Sequence, residues 1–406
     1  MNEMPRKYTF AEKLKSLGPG FLIVGGFIGP GTITSATKAG AGFGYALLWT
    51  VIFSVIAVIS FQEMSARMGV ATRKDFGQNI VEAFSGKPLL RWVITVIIIG
   101  AGVVGTIAYC SGDLTGTALG LSALTGLPVS AIAVVWGFVV LLITYCTKNV
   151  MKFLEKLIGI CVAIMSALFV LTVIVAKPDL GELFSGVIPK IPTGAAMTCL
   201  SLVGTTVIPQ FAFIHSASAR DEWTVEEMPL AKFSTIASMI VGGIITGAVM
   251  ITSATVMRGM TVENAIDMSV QLEPLLGSLA KPVLCIGMTA AGVSSSVLCP
   301  TLSCIVAASV LGWKQDKSDK RFLALGIATI VIGIAVILTG INPIAIIMTA
   351  QAFNAIFLPI SVILLLYLCN RKIMGQFKNS VLANVVGIFV AVVALVLGGN
   401  SLLSMF

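Results

Sequence analysis

The sequence predicts an all-α polytopic membrane protein with eleven transmembrane helices, and three observations predict it. Hydrophobic residues make up 57% of the 406 and charged residues 11%, against about 25% charged in a soluble domain. Mean hydropathy is +1.02, and the apolar runs recur from end to end, which excludes a soluble globule, a disordered chain and a protein with a single anchor. Lys and Arg gather between the apolar runs, as in cytoplasmic membrane loops. The net charge of +8 therefore carries no nucleic-acid signal.

Taken in order, residues 1–17 are charged, with no early apolar stretch. They read as a cytoplasmic N-terminus rather than a cleaved signal peptide. Spans follow near 19–41, 44–69, 90–124, 128–147 and 150–176. After an outside loop at 177–193 come spans near 194–219, 230–257, 280–312, 322–340 and 342–369. A loop beginning at 371 leads to the last span, near 381–404. The stretch 261–279 is amphipathic and reads as a short surface helix. With the N-terminus inside, 21 of the 26 Lys and Arg residues fall on the inner side, which places the C-terminus outside in a plasma membrane. The eight Cys show no CxxC or Cys/His spacing and read as small packing residues.

Two spans are interrupted in their middles. The first contains Gly25-Gly26-Phe27-Ile28-Gly29-Pro30-Gly31-Thr32, and the sixth contains Gly204-Thr205-Thr206-Val207-Ile208-Pro209-Gln210. Proline removes a backbone donor and clashes with the preceding turn, and glycine lets the chain leave helical geometry cheaply. The breaks lie five spans apart. Matched interruptions of this kind mark a 5+5 inverted repeat, here 18–176 and 194–370, with the binding site between the breaks.

The same residues carry a resemblance. Gly18-Pro19-Gly20-Phe21 and Ala39 through Trp49 are similar to the first helix and following turn of the NRAMP family of divalent-metal transporters. Ser65 through Gly69, Gly116 through Pro128, His215-Ser216, Ala290 through Ser295, Gln351, Leu358-Pro359 and Met374-Gly375 continue it in order. The resemblance implies the leucine-transporter fold with broken helices 1 and 6. It also implies alternating access, a metal cargo and proton coupling.

The departures fall on the chemistry. Where the family's first break reads Asp-Pro-Gly-Asn, this chain has Gly29-Pro30-Gly31-Thr32. Where the sixth reads Met-Pro-His, this chain has Ile208-Pro209-Gln210. None of the family's usual metal ligands is retained within the breaks, and its two relay carboxylates on the third helix map to Cys110 and Asp113. The donors expected at the site are Gly29, Gly31, Thr32, Gln210, Gln351 and Asn354, with Ile208 in the thioether's place. Asp113, the one deep carboxylate, and His215, the only His, are expected on a proton or cation path.

A bare transition-metal ion at such a centre has its charge unmet, which is costly. Free N–H groups of Gly29 and Gly31 beside a helix start suit an anion instead. The favoured cargo is therefore a metal held as an anionic chelate, such as ferric citrate. An amino acid or small carboxylate moved with protons or sodium is the alternative, and a divalent ion (Mn, Fe, Mg) as in the parent family is the third. No phosphate loop, no metal-ligand pair at i, i+4 and no activated nucleophile points to an enzyme. No cofactor is expected, and the partners are the bilayer, the cargo and a coupling ion such as H+.

Overall fold

The computed structural model describes residues 8–146 and 149–403; residues 1–7 of the expected cytoplasmic N-terminus lie outside them. All regular structure among the described residues is helical. The helices are α1 (Phe10–Lys15), α2 (Gly18–Phe27), α3 (Pro30–Phe43), α4 (Leu48–Thr72), α5 (Phe76–Ala83) and α6 (Pro88–Ile98). A π turn over Ile99–Val104 joins α6 to α7 (Gly105–Thr125). Next come α8 (Val129–Cys146), α9 (Asn149–Ala176), α10 (Leu180–Ser185), α11 (Ala196–Thr206), α12 (Phe211–Glu222) and α13 (Met228–Val256). The chain ends with α14 (Ala265–Ser269), α15 (Glu273–Leu276), α16 (Ala280–Leu311), α17 (Lys320–Leu338), α18 (Pro343–Cys369) and α19 (Val381–Leu403).

Local chemistry explains the ends. Pro30 occupies the first position of α3, where its missing N–H has no intrahelical partner to lose. Asp75 caps α5 through the Gln78 amide at 2.9 Å, and the Gln78 side chain returns the bond to the Asp75 amide at 3.0 Å, a reciprocal capping box. Gly126 and Gly312 close α7 and α16 in the left-handed conformation, which glycine adopts without a Cβ clash.

Among the described residues, eight helical stretches are long and apolar enough to cross a membrane. The break leaves α2 with only ten residues. Across a 3-10 turn, α3 and α4 run on as one stretch, while α8 has 18 residues and α9 has 28. The amphipathic stretch 261–279 is not a surface helix. It divides into α14, α15 and short 3-10 turns that bury Met268, Gln271 and Leu272, because its apolar side packs onto α16 and α9.

The two interrupted stretches lie deep in the bundle. The most apolar 18-residue window of Ala196–Glu222 is 94% buried, whereas that of Lys320–Leu338 is 33% buried. Val135, Phe138, Ile174, Val385 and Ile388 on the outer helices are exposed. In lipid such apolar faces are correctly solvated. Around the centre, α16 packs on α7, α11 on α18, α12 on α4, and α13 on α3 and α4.

Candidate functional site

The first break lies between Phe27 and Pro30. Ile28 leaves helical geometry at φ −77°, ψ 76°, and Gly29 is extended at φ −122°, ψ −171°. The carbonyls freed by the break are not left bare. The Phe27 carbonyl accepts from the Gly29 amide at 2.9 Å and from the Thr32 hydroxyl at 2.5 Å. The Gly26 carbonyl accepts from the Tyr109 hydroxyl at 2.5 Å and the Ser295 hydroxyl at 3.1 Å. Side chains from α3, α7 and α16 thus replace the lost helical bonds, as a buried backbone requires.

The second break runs from Val207 (φ −111°, ψ 87°) to Gln210, after which α12 begins at Phe211. The two breaks touch: the Thr32 and Thr205 hydroxyls are 2.9 Å apart. Since the Thr32 proton goes to Phe27, Thr205 is the donor in this pair. Gly204 lets α11 come against the Gln351 carbonyl of α18, and Gly31 lets α3 come against the Gln351 amide. Either Cβ would occupy space that Gln351 fills.

Between these elements sit buried polar groups without hydrogen-bond partners: Asp113 Oδ1, Gln210 Oε1, Gln351 Oε1 and Asn354 Nδ2. Asp113 is fully buried, and its Oδ2 accepts from the Cys299 thiol at 3.7 Å. A Cβ on residue 29 would lie 3.5 Å from Asp113 Oδ1 and 2.9 Å from Ser295 Oγ. The carboxylate from α7 therefore stands beside the start of α3.

The Gln210 amide donates to Asn354 Oδ1 at 3.3 Å and to the Ala101 carbonyl in the π turn at 3.4 Å. Gly105 makes room for that amide. A π turn inside an α-helix is costly and is frequently found at functional sites. A cavity of about 20 Å³ adjoins Gln210, between Phe76, Pro209, Phe213 and Leu364. It holds little more than one water.

Of the residues expected at the site, the structure brings together Gly29, Gly31, Thr32, Gln351 and Asp113 around the first break, and Gln210 with Asn354 around the second. One expectation is corrected: the Gly29 N–H is not free for an anion, because the Phe27 carbonyl takes it. The Thr32 hydroxyl directs its proton to the same carbonyl. Ile208 is buried and apolar and adds no donor. His215 stands apart, with Nδ1 at 2.9 Å from Gln62 Oε1 on α4 and Nε2 at 3.5 Å from Thr235 Oγ1 on α13. Among the described residues no group of three His, Cys, Asp or Glu could hold a metal ion.

Tyr109 and Ser295, not among the residues expected at the site, hold the Gly26 carbonyl. Their signal was indirect: a broken helix needs outside donors. The Ala101 carbonyl and Thr205 carried no sequence signal of their own.

Buried hydrogen bonds join the elements around the breaks. Ser35 Oγ and Ser201 Oγ are 2.6 Å apart, and Gln271 donates to Thr37 Oγ1 at 2.9 Å. The Phe76 amide donates to Ser216 Oγ at 2.8 Å, beside the close approach of Gly69 to the Ser216 backbone.

Comparison with known proteins agrees with this geometry. Residues 20–404 match the family model described as natural resistance-associated macrophage protein-like (Nramp). The divalent metal cation transporter MntH of Yersinia pestis (strain Pestoides F) is 27% identical over 404 residues, covering 97% of this chain and 96% of that one. MntH of Deinococcus radiodurans is 27% identical over 400 residues, covering 95% and 89%. Among solved structures, the manganese transporter of Eremococcus coleocola superposes with a TM-score of 0.79 at 18% identity, over 98% of this chain and 88% of that one. MhsT in complex with L-phenylalanine gives 0.60 at 15%, over 96% and 98%. At these identities the superpositions speak for the fold.

Proposed function

The chain belongs to the Nramp family, and on that premise we propose that it is a secondary active transporter whose cargo is a divalent metal cation. The observation that carries the cargo is the set of three buried, unpartnered side-chain oxygens at the breaks: Asp113 Oδ1, Gln210 Oε1 and Gln351 Oε1. Oxygen donors of this kind suit hard cations such as Mn2+ and Mg2+. The last carbonyls of α11, which have no intrahelical partner, add to them. The relatives' names, divalent metal cation transporter and manganese transporter, point the same way.

The anionic chelate, ferric citrate above all, drew its support from a helix start with free donors and no negative charge nearby. The Asp113 carboxylate stands at that helix start and the Gly29 N–H is engaged. A second anion there meets repulsion instead of a welcome. An amino acid or small carboxylate meets the same obstacle.

The rest of the reading follows the family. Eleven helices form a 5+5 inverted repeat in the plasma membrane, with the N-terminus cytoplasmic and the C-terminus outside. Protons are the coupling ion, and His215 between Gln62 and Thr235 is the group on their path. The test is uptake by purified protein in liposomes. Mn2+ or Mg2+ should enter, faster under an inward proton gradient. Uptake of ferric citrate without uptake of free divalent cations overturns the reading.

A further inference from the structure

We propose that Asp113 is itself a ligand of the cargo cation and supplies its counter-charge from helix α7. The proposal rests on the cation reading above and names the residue that makes it possible.

Three observations converge. Asp113 is fully buried, and its Oδ1 has no hydrogen-bond partner. An ionised carboxylate in that position is expensive unless a cation or a proton joins it. Its neighbours offer little compensation. The Cys299 thiol reaches its Oδ2 at 3.7 Å, and the Tyr109 hydroxyl beside it directs its proton to the Gly26 carbonyl. No Lys, Arg or His forms an ion pair with Asp113 among the described residues.

Position decides between a proton and a cation. Oδ1 lies 3.5 Å from where a side chain on residue 29 would begin. It therefore opens on the first break, where Gly31 lets the Gln351 amide approach and Gln351 Oε1 is free. A proton alone would leave that amide oxygen unsatisfied. A cation between Asp113 and Gln351 satisfies both. The glycine at 29 is then a necessity: a longer residue would fill the space toward Asp113 and Ser295. Cys299 Sγ, against the other carboxyl oxygen, orients the carboxylate without entering the site.

The test is charge relocation, read by Mn2+ binding with isothermal titration calorimetry and by Mn2+ uptake in liposomes. Asp113→Asn should weaken Mn2+ binding at least tenfold and abolish uptake, and Asp113→Glu should retain part of both. The double variant Gly29→Asp with Asp113→Gly returns a carboxylate to the same space from the other helix and should recover binding that Asp113→Gly alone lacks. Melting temperature, measured for every variant, separates loss of ligand from loss of fold. If Asp113→Asn binds Mn2+ as tightly as the wild type and loses only the pH dependence of uptake, Asp113 is a coupling residue and the proposal is wrong. The proposal also falls if the double variant is folded and binds no better than Asp113→Gly. If wild-type protein binds no divalent cation at all, the cargo reading fails first and takes this one with it.

Discussion

The hydroxyls of Thr32 and Thr205, 173 residues apart in sequence, meet at 2.9 Å and tie the two broken helices directly together. The tie has a direction, because Thr32 passes its own proton to the Phe27 carbonyl. It holds the break of the first helix against the end of α11 at the level of the site. Thr205→Val keeps the shape and removes the donor. A buried hydrogen bond of this kind contributes about 1 kcal/mol, so folding should weaken modestly. Cation uptake should fall further, since the breaks lose their register. Thr205→Ser should restore uptake in the liposome assay. Equal uptake by all three proteins would show that the contact does not position the site.

Close approach by glycine makes a second, graded prediction. A Cβ on Gly204 would run into the backbone carbonyl of Gln351, whereas one on Gly25 meets nothing within 4 Å. Gly204→Ala forces two helices apart and should cost about 1–3 kcal/mol, as overpacking does, visible as a lowered Tm. Gly25→Ala should leave Tm unchanged or raise it slightly, since alanine reduces the entropy of the unfolded chain. Gly31→Ala meets only the end of the Gln351 side chain, which can move. It should therefore spare Tm and damage cation affinity.

Asp75, in the loop between α4 and α5, predicts a pH effect on stability. Burial pushes its carboxyl above the ordinary range, opposed by the Gln78 amide, the Gln315 side chain and the charge of Arg220. Gln315 donates to it at 3.0 Å, and Arg220 lies 4.0 Å away. With a raised value the native state binds a proton that the unfolded state has already released. Stability from this group is therefore full below about pH 4 and declines as pH rises through the raised value. Asp75→Asn keeps a helix cap and should remove that decline. The difference in Tm, wild type minus variant, should become more negative across that window. A difference that does not vary with pH would contradict the assignment.

Much of the fold was legible because the membrane imposes it. Apolar length, the placement of Lys and Arg, and the two Gly/Pro interruptions are local features, and the breaks fall at Gly29-Pro30 and Pro209 as read. The amphipathic stretch 261–279 was misread because its apolar side could meet either lipid or protein. Only packing against α9 and α16 decides which. At the candidate site, the sequence named Gln351, Asn354, Gln210 and Asp113, and the structure places them at the two breaks. Sequence could not place Asp113 beside Gly29, since 84 residues and the helices α3 to α6 separate them. On the proposed cation reading, that one placement reverses the expected charge preference. A missing carboxylate at position 29 reads as an invitation to an anion until the carboxylate of α7 is seen to stand there.

The most direct measurement is an anomalous difference map from crystals soaked in Mn2+. One peak is expected at the first break, within about 2.6 Å of an Asp113 carboxylate oxygen and of the Gln351 amide oxygen, and it should be lost in Asp113→Asn crystals. A peak elsewhere in the bundle, or one that persists unchanged in the variant, would contradict the proposed site.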